Sequence, residues 1–280
     1  VGAAEVRALL ARHGLRAHRA RGQNFLVDEA LAARLVELAG VVPGDAVIEI
    51  GTGLGVLTRA LAARAARVVT LEVDAGIVRA LRAEGALPAH VELLHADALR
   101  VDLGALVATA GRPARIVANL PYSISAPVLR ALLDLRGRLA DWSVMLQREV
   151  ARRLLARPGS REWGSLGVLH RLCVRVEPRL ELPPGCFHPA PRVRSSFLRI
   201  SPLAEPLVAP GELGEVEAVG RRACGKRRKT LVNALRDGAL PPAATLRALE
   251  RVGIAARARA EELPAESFAR LARALREAAE

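Results

Sequence analysis

The segment AVIEIGTGLG (Ala46–Gly55) carries most of the fold information. Ala46–Ile50 is a short, mostly apolar run that reads as a strand buried on both faces. Glycines at 51, 53 and 55 follow directly, and Val56–Ala66 reads as the helix behind them. Strand, glycine turn and helix in that order open a βαβ unit. Upstream, Pro43-Gly44-Asp45 forms the turn into the strand. Downstream the pattern repeats. Arg67–Leu71 is a strand ending at Glu72, Asp74–Arg82 is helical, and Val91–Leu94 is a strand followed by Asp97. Arg115–Ala118 is a strand ending at Asn119, and Trp142–Leu146 is a fifth. Such alternation predicts an α/β fold with a doubly wound parallel sheet that binds ligands at the carboxyl ends of its strands.

The flanks extend this core. Residues 1–40 read as helix, loop and helix, with Asp28 capping the second helix. From Leu172 to Ile200 the pattern becomes strand, turn and strand, so the sheet is expected to end in an antiparallel hairpin. Ser201–Pro210 holds three prolines in ten residues and reads as a linker. Beyond it, residues 213–236, 244–253 and 265–279 have helical periodicity. The expected division is therefore 1–200, the sheet domain with a basic N-terminal arm, and 201–280, a small all-α C-terminal domain.

Composition narrows the function. The 42 basic and 29 acidic residues leave a net charge of +13, and only Lys226 and Lys229 are lysines. A surface that basic suits a polyanion and argues against a cationic substrate as main partner. No apolar stretch is long enough to span a bilayer, and the arginine-rich N-terminus does not read as a secretory signal. Three widely spaced cysteines, Cys173, Cys186 and Cys224, suggest free thiols in a reducing compartment. A cytoplasmic protein without a metal site or membrane attachment is expected.

The glycine loop is a weak signal by itself, because its spacing is G-x-G-x-G rather than G-x-G-x-x-G. Its context strengthens it. Glu72 ends the next strand, where an acid can accept both ribose hydroxyls, and Asp97 ends the third, where a carboxylate can accept from an adenine amino group. Together they point to an adenosine-containing cofactor, and both a dinucleotide and S-adenosylmethionine fit. Glu49, just before the glycines, favours the sulfonium compound, since a cation welcomes a nearby acid.

ANLPYSIS (Ala118–Ser125) resolves the choice. Tyr122 is the only tyrosine in the chain. Methylating an exocyclic amine requires its nitrogen lone pair to be aimed at the methyl carbon. The Asn119 side-chain oxygen and the Leu120 carbonyl can hold the two amine hydrogens, Pro121 stiffens the turn, and Tyr122 offers a π face to a flipped base. Catalysis is then mostly positioning.

These segments occur in a fixed order with GQNFL (Gly22–Leu26), HADAL, MLQREVARRL (Met145–Leu154), FHPAPRVRSS (Phe187–Ser196) and KRRKTLVNAL (Lys226–Leu235). The set resembles the ribosomal RNA adenine N6,N6-dimethyltransferase family, nearest to its bacterial small-subunit (kasugamycin-sensitivity) branch, over nearly the whole chain. The resemblance implies a Rossmann-like S-adenosylmethionine-dependent methyltransferase sheet with a helical C-terminal domain. It implies transfer of four methyl groups to N6 of two adjacent adenosines near the 3′ end of 16S rRNA during ribosome assembly, with S-adenosylhomocysteine as by-product. The implied cofactor residues are Gln23, Asn24, Leu26, Gly51, Gly53, Glu72, Asp97, Ala98 and Asn119. The implied catalytic set is Asn119, Leu120, Pro121, Tyr122 and Phe187, with Tyr122 and Phe187 flanking the target adenine; the alternative for Phe187 is a core anchor. Two positions depart from the family pattern: Thr52 replaces the commoner proline, and Arg194 stands where an aspartate is usual.

The partner is then the small ribosomal subunit, bound by a monomer. Residues 221–236 carry seven cations and no acid. Arg221, Arg222, Lys226, Arg227, Arg228 and Lys229, with Arg148, Arg152 and Arg153, are expected to contact RNA, helped by Arg157, Arg161 and the N-terminal arm (Arg7, Arg12, Arg16, Arg19, Arg21). Three other readings share some of these features. They are a large-subunit, resistance-type adenine methyltransferase, a non-catalytic assembly or transcription factor on the same fold, and a DNA adenine methyltransferase.

Overall fold

The computed structural model describes residues 2–18, 22–110, 114–226, 228–236 and 241–278. Helix α1 (Ala3–Arg12), the two-residue strand β1 (Phe25–Leu26) and helix α2 (Glu29–Leu38) lead into the alternating core. That core runs β2 (Ala46–Ile50), α3 (Val56–Ala62), β3 (Arg67–Glu72), α4 (Ala75–Ala83), β4 (Val91–His95), α5 (Leu103–Ala110) and β5 (Ala114–Asn119). It continues through α6 (Ser125–Asp134), β6 (Leu139–Gln147), α7 (Arg148–Leu155), α8 (Ser165–Cys173), β7 (Val174–Leu182), β8 (Phe187–His188) and β9 (Ser195–Pro202). Helices α9 (Leu213–Gly225), α10 (Leu231–Leu235), α11 (Pro242–Arg251) and α12 (Ala265–Glu277) complete the described chain.

Seven strands form one sheet in the order β4-β3-β2-β5-β6-β9-β7. The first five are parallel, and β9 runs antiparallel to β6. Every residue of β2 is buried, as expected of a strand covered on both faces. The chain steps from β2 out to β3 and β4, then returns to the other side of β2 at β5, which creates a switch point between β2 and β5. Ligands of doubly wound sheets bind outside the carboxyl ends of strands at such a point.

Local chemistry sets the boundaries. Asp28 accepts the Leu31 amide at 3.0 Å and caps α2. Asp74 accepts the amides of Gly76 and Ile77 and caps α4. Helix α3 stops at Ala62, short of the expected Ala66. The amides of Ala66 and Arg67 turn instead to the Asp45 carbonyl, at 3.0 and 3.4 Å, and lead the chain into β3. Leu172 and Cys173 close α8 rather than open a strand. The helix expected over 213–236 is two helices, because Gly225 ends α9 and Thr230 is extended ahead of α10. Arg19, Arg21 and Arg227 lie outside the described residues.

The expected division at residue 201 needs correction. One compact unit holds residues 1–148 and 177–202, and the other holds 149–176 and 203–280. Most of α7, together with α8, therefore belongs to the helical unit. Trp163, 2% exposed, donates its indole N–H to the Leu263 carbonyl at 3.1 Å. Gly220 of α9 packs against Ser165 of α8, where an added Cβ would sit 3.4 Å away. Burying Trp163 against the C-terminal helices is what draws these two helices into that unit.

At the amino ends of the parallel strands an ionic cluster ties four elements together. Asp141 of β6 accepts from Arg115 of β5, and Arg199 of β9 reaches it at 2.5 and 2.9 Å. Arg115 also lies 2.8 Å from Asp45. Both aspartates are nearly inaccessible. Removing one member of a buried ionic group strands its partners, so Asp141→Ala should destabilise the fold by about 3–5 kcal/mol in urea unfolding. A loss under about 1 kcal/mol would show that Asp45 and solvent, not Asp141, neutralise the two arginines.

Candidate active site

A cavity of about 320 Å³ opens at the carboxyl ends of β2, β3, β4 and β5. Its walls come from the Gly22–Phe25 arm, the glycine loop, Leu71–Val73, Ala96–Leu99 and Asn119–Ile124. The Gln23, Asn24, Gly51, Gly53, Glu72, Asp97, Ala98, Asn119, Leu120, Pro121 and Tyr122 singled out in the sequence all line it.

The glycine loop brings the backbone to the cavity edge. Gly51 has φ +87°, a left-handed conformation that favours glycine, and its amide bonds back to the Leu71 carbonyl at 2.9 Å. Gly53 donates its amide to Glu72 Oε2 at 2.8 Å, while the Asp74 amide reaches Glu72 Oε1 at 2.9 Å. The carboxylate is thus fixed at both oxygens, each with a lone pair to spare. Burial pushes the Glu72 carboxyl up from its ordinary value, and these amide bonds oppose the shift. Asp97 accepts the Leu99 amide at 2.9 Å and lies 3.6 Å from the exposed Arg100.

The arm forms the opposite wall through close backbone contact. Gly22, at φ +68°, leaves no room for a side chain: an added Cβ would lie 2.9 Å from the Tyr122 nitrogen. Asn24 Nδ2 donates to the Gly22 carbonyl at 3.0 Å, and Gln23 Oε1 accepts the His18 amide at 2.8 Å. Asn119 Nδ2 donates to the Asn24 carbonyl at 3.0 Å. That bond fixes the Asn119 amide and leaves Oδ1 as its acceptor end. Tyr122 is half-buried, and its hydroxyl lies 2.6 Å from Ser195 Oγ. Burial raises the phenol above its ordinary value, and the Ser195 bond opposes this.

Three expected residues lie outside the main cavity wall. Phe187 is 3% exposed, pairs with Leu26 in the β1–β8 ladder, and packs in a core cluster with Met145 and Phe197. It does not line this cavity, and its packing is that of the core anchor. Leu26 is buried in the same cluster and borders, with Phe25, Gly51, Gly53 and Asn119, a smaller space of about 20 Å³ beside the glycine loop rather than the main cavity. Glu49, expected to offer a charge to the ligand, is fully buried and faces the helix layer. There its Oε2 accepts from Thr58 and Thr70 at 2.5 and 2.6 Å. Thr52 joins this group through Thr70 at 2.7 Å, which a proline could not do.

Burial is the main cause that lifts the Glu49 carboxyl from 4.5 to about 8, reinforced by Glu72 and opposed by the threonines and Arg59. Near neutral pH it is an acid, not a carboxylate. The sign follows. The folded chain holds a proton that the unfolded chain releases, so this group's stabilisation is complete below pH 4.5 and is lost as pH rises through about 8. The melting temperature of Glu49→Gln relative to the native protein should therefore rise steadily across that window. A pH-independent difference would contradict a buried, protonated Glu49.

The sequence reading missed Phe25, Val73 and Leu99 as wall residues. Val73 and Leu99 are 47% and 46% exposed, and each follows a strand-end acid by one or two positions. A large apolar residue just past such an acid is the signal that could have found them.

The helical unit carries most of the cations expected to contact RNA. Arg152 and Arg153 of α7, Arg157, Arg161, Arg221 and Arg222 of α9, and Lys226, Arg228 and Lys229 are all exposed. An added Cβ on Gly167 of α8 would lie 2.7 Å from the Arg153 carbonyl, and Ser165 of α8 touches Gly220. Two basic runs far apart in sequence thus come onto neighbouring elements. Arg148 is half-buried and belongs to the sheet unit. Among the described residues, no helix is long and apolar enough to cross a membrane, and no cluster of His, Cys, Asp or Glu is placed to hold a metal ion.

Known proteins are similar to this chain in sequence and fold. Residues 14–277 match the model of the ribosomal RNA adenine dimethylase family. The chain is 40% identical over 267 residues to ribosomal RNA small subunit methyltransferase A of Magnetococcus marinus, covering 95% of each chain. It is 44% identical over 277 residues to the protein of that name from Methylobacterium radiotolerans, covering 97% of this chain and 92% of the relative. Its fold is similar to that of a dimethyladenosine transferase from Plasmodium falciparum, with a TM-score of 0.73, 22% identity, and coverage of 88% of this chain and 95% of that one. It is also similar to the 23S rRNA methyltransferase ErmE, with a TM-score of 0.63, 26% identity, and coverage of 90% of this chain and all of that one. With a family model spanning nearly the full length and relatives at 40% and 44% identity, this chain belongs to the ribosomal RNA adenine dimethylase family.

Proposed function

We propose that this chain transfers methyl groups from S-adenosylmethionine to N6 of two adjacent adenosines in the 3′-terminal hairpin of 16S rRNA, giving N6,N6-dimethyladenosines during small-subunit assembly. The observation that carries the reading is one cavity walled by Glu72 and Asp97 on one side and by the Asn119–Tyr122 turn on the other. The cavity suits the cofactor. Its volume is that of a small-molecule site, its walls are mostly apolar, and its few polar groups converge.

When bound, S-adenosylmethionine supplies an electrophilic methyl carbon. Glu72, held by the Gly53 and Asp74 amides, accepts the ribose hydroxyls. Asp97 and Ala98 meet the adenine edge, Val73 and Leu99 cover its faces, and Gly51 lets the methionine portion lie against backbone. Gln23 and Asn24 close the site from the arm. The target adenine stacks on Tyr122. Asn119 Oδ1 and the Leu120 carbonyl accept its two amine hydrogens, which aims the N6 lone pair out of the ring plane towards the methyl carbon. Pro121 keeps the two acceptors in register. As the N–C bond formed, the bond from that carbon to sulfur would break and S-adenosylhomocysteine would leave with a neutral sulfur; the nitrogen, then cationic, loses its surplus proton to water, so no strong base is needed.

The RNA lies against the exposed cations of the helical unit: Arg152, Arg153, Arg221, Arg222, Lys226, Arg228 and Lys229. Arg148 adds one contact from the sheet unit, and Arg227 extends the run. Arginine forks match phosphate geometry, and the scarcity of aromatic residues favours recognition of backbone and RNA shape over stacked single strands. The protein acts as a cytoplasmic monomer. The near-full-length likeness to small-subunit methyltransferases favours this RNA over the 23S rRNA that ErmE's name states. The test is to incubate the protein with methyl-labelled S-adenosylmethionine and unmethylated small or large subunits. Label on small subunits supports the reading, and label on large subunits alone overturns it.

A further inference from the structure

The segment Phe187–Ser196 takes no direct part in the site described above, yet it touches the site at both ends. At one end, Phe187 and His188 pair with Leu26 and Phe25, directly behind the arm that walls the cavity. At the other, Ser195 opens β9, opposite Gln147 of β6, and its hydroxyl meets the Tyr122 hydroxyl at 2.6 Å. Ser195 is completely buried in the sheet. Tyr122 is half-buried and sits on a one-turn helix, Tyr122–Ile124.

We propose that Ser195 is a positioning residue for methyl transfer, tethering the Tyr122 ring so that a stacked adenine presents its amine to Asn119. The inference rests on the reading of Tyr122 as the stacking platform. The physical argument concerns rotation. A tyrosine ring on a short turn is held at Cβ alone and can swing about two side-chain bonds. A hydrogen bond at the far end of the ring, to a hydroxyl fixed in a sheet, removes that freedom. Base–aromatic stacking tolerates a tilted ring, so base affinity changes little without the tether. In-line attack does not tolerate the tilt, because a small displacement of the nitrogen misaligns it with the methyl carbon. Loss of the tether should therefore appear in kcat rather than in KM.

Two variants break the same bond from opposite ends. Ser195→Ala removes the sheet-side hydroxyl, and Tyr122→Phe removes the phenol oxygen while keeping the ring. Each should lower kcat roughly 10-fold, with KM for the ribosomal substrate within about twofold of native. The double variant should lose no more than either single one, since both delete one interaction. Because Tyr122 is the only tyrosine, the tyrosine doublet in ultraviolet resonance Raman reports its hydrogen bonding alone. That signal should change in folded Ser195→Ala. Native kcat for Tyr122→Phe, or an unchanged doublet in Ser195→Ala, would overturn the tether. Failure of the underlying reading looks different: Tyr122→Ala, which removes the ring, would then retain native activity.

Discussion

Asn119→Ala is expected to lower methyl transfer about 10³-fold while leaving the fold and RNA binding intact. The size follows from what the amide does. Its Nδ2 is committed to the Asn24 carbonyl, which leaves Oδ1 to accept from the substrate amine. An adenine N6 lone pair is delocalised into the ring, and only acceptors that hold the hydrogens out of plane free it for attack. Loss of one preorganised electrostatic partner costs about 10²–10³ in rate. Asn119→Ala also releases the Asn24 wall, so misalignment adds to that cost. The side chain lies at the end of β5 and anchors no core cluster, so thermal unfolding should change little. Single-turnover transfer on small subunits measures the rate, and filter binding measures the RNA. Retained transfer would remove Asn119 from the reaction. Lost RNA binding would show that the variant acts through the interface instead.

The second large effect is on RNA affinity as a function of salt. If about six phosphates are neutralised, log K should fall with log[salt] at a slope of about −5, a loss of roughly 10³ between 50 and 200 mM. Removing one contributing cation, as in Arg222→Ala or Lys229→Ala, should make the slope shallower by about 1 and weaken binding to all RNA sequences alike. Both side chains are exposed and neither lines the cavity, so cofactor binding should be unaffected. A slope near zero would mean that the surplus cations are compositional background and that RNA is held by other means.

The parts of the site that were legible in sequence are those where an apolar run stops at a polar residue. Glu72 and Asn119 each end a strand of the sheet and Asp97 follows one by two residues, and the doubly wound topology brings such ends together. Three features were not legible, for physical reasons. A strand buried on both faces has no polar side, so nothing local says that Glu49 is bound by Thr58 of the helix layer. Two residues are too few to show strand periodicity, so the β1–β8 ladder that draws Phe187 into the core could not be read. The union of α7 and α8 with the C-terminal helices depends on Trp163 meeting a carbonyl 100 residues away, which no local pattern encodes. The boundary at 201 was placed by proline content, and proline marks where a linker lies but not which unit an earlier segment joins.

The reaction and its target are tested together by mapping the transferred label. The protein is incubated with methyl-labelled S-adenosylmethionine and small subunits lacking this modification, and the rRNA is then digested and sequenced by mass. The expected product is N6,N6-dimethyladenosine at two adjacent positions of the 3′-terminal hairpin, absent with Asn119→Ala. Label elsewhere in the rRNA, label confined to large subunits, or no transfer by a folded protein that binds the cofactor would contradict it.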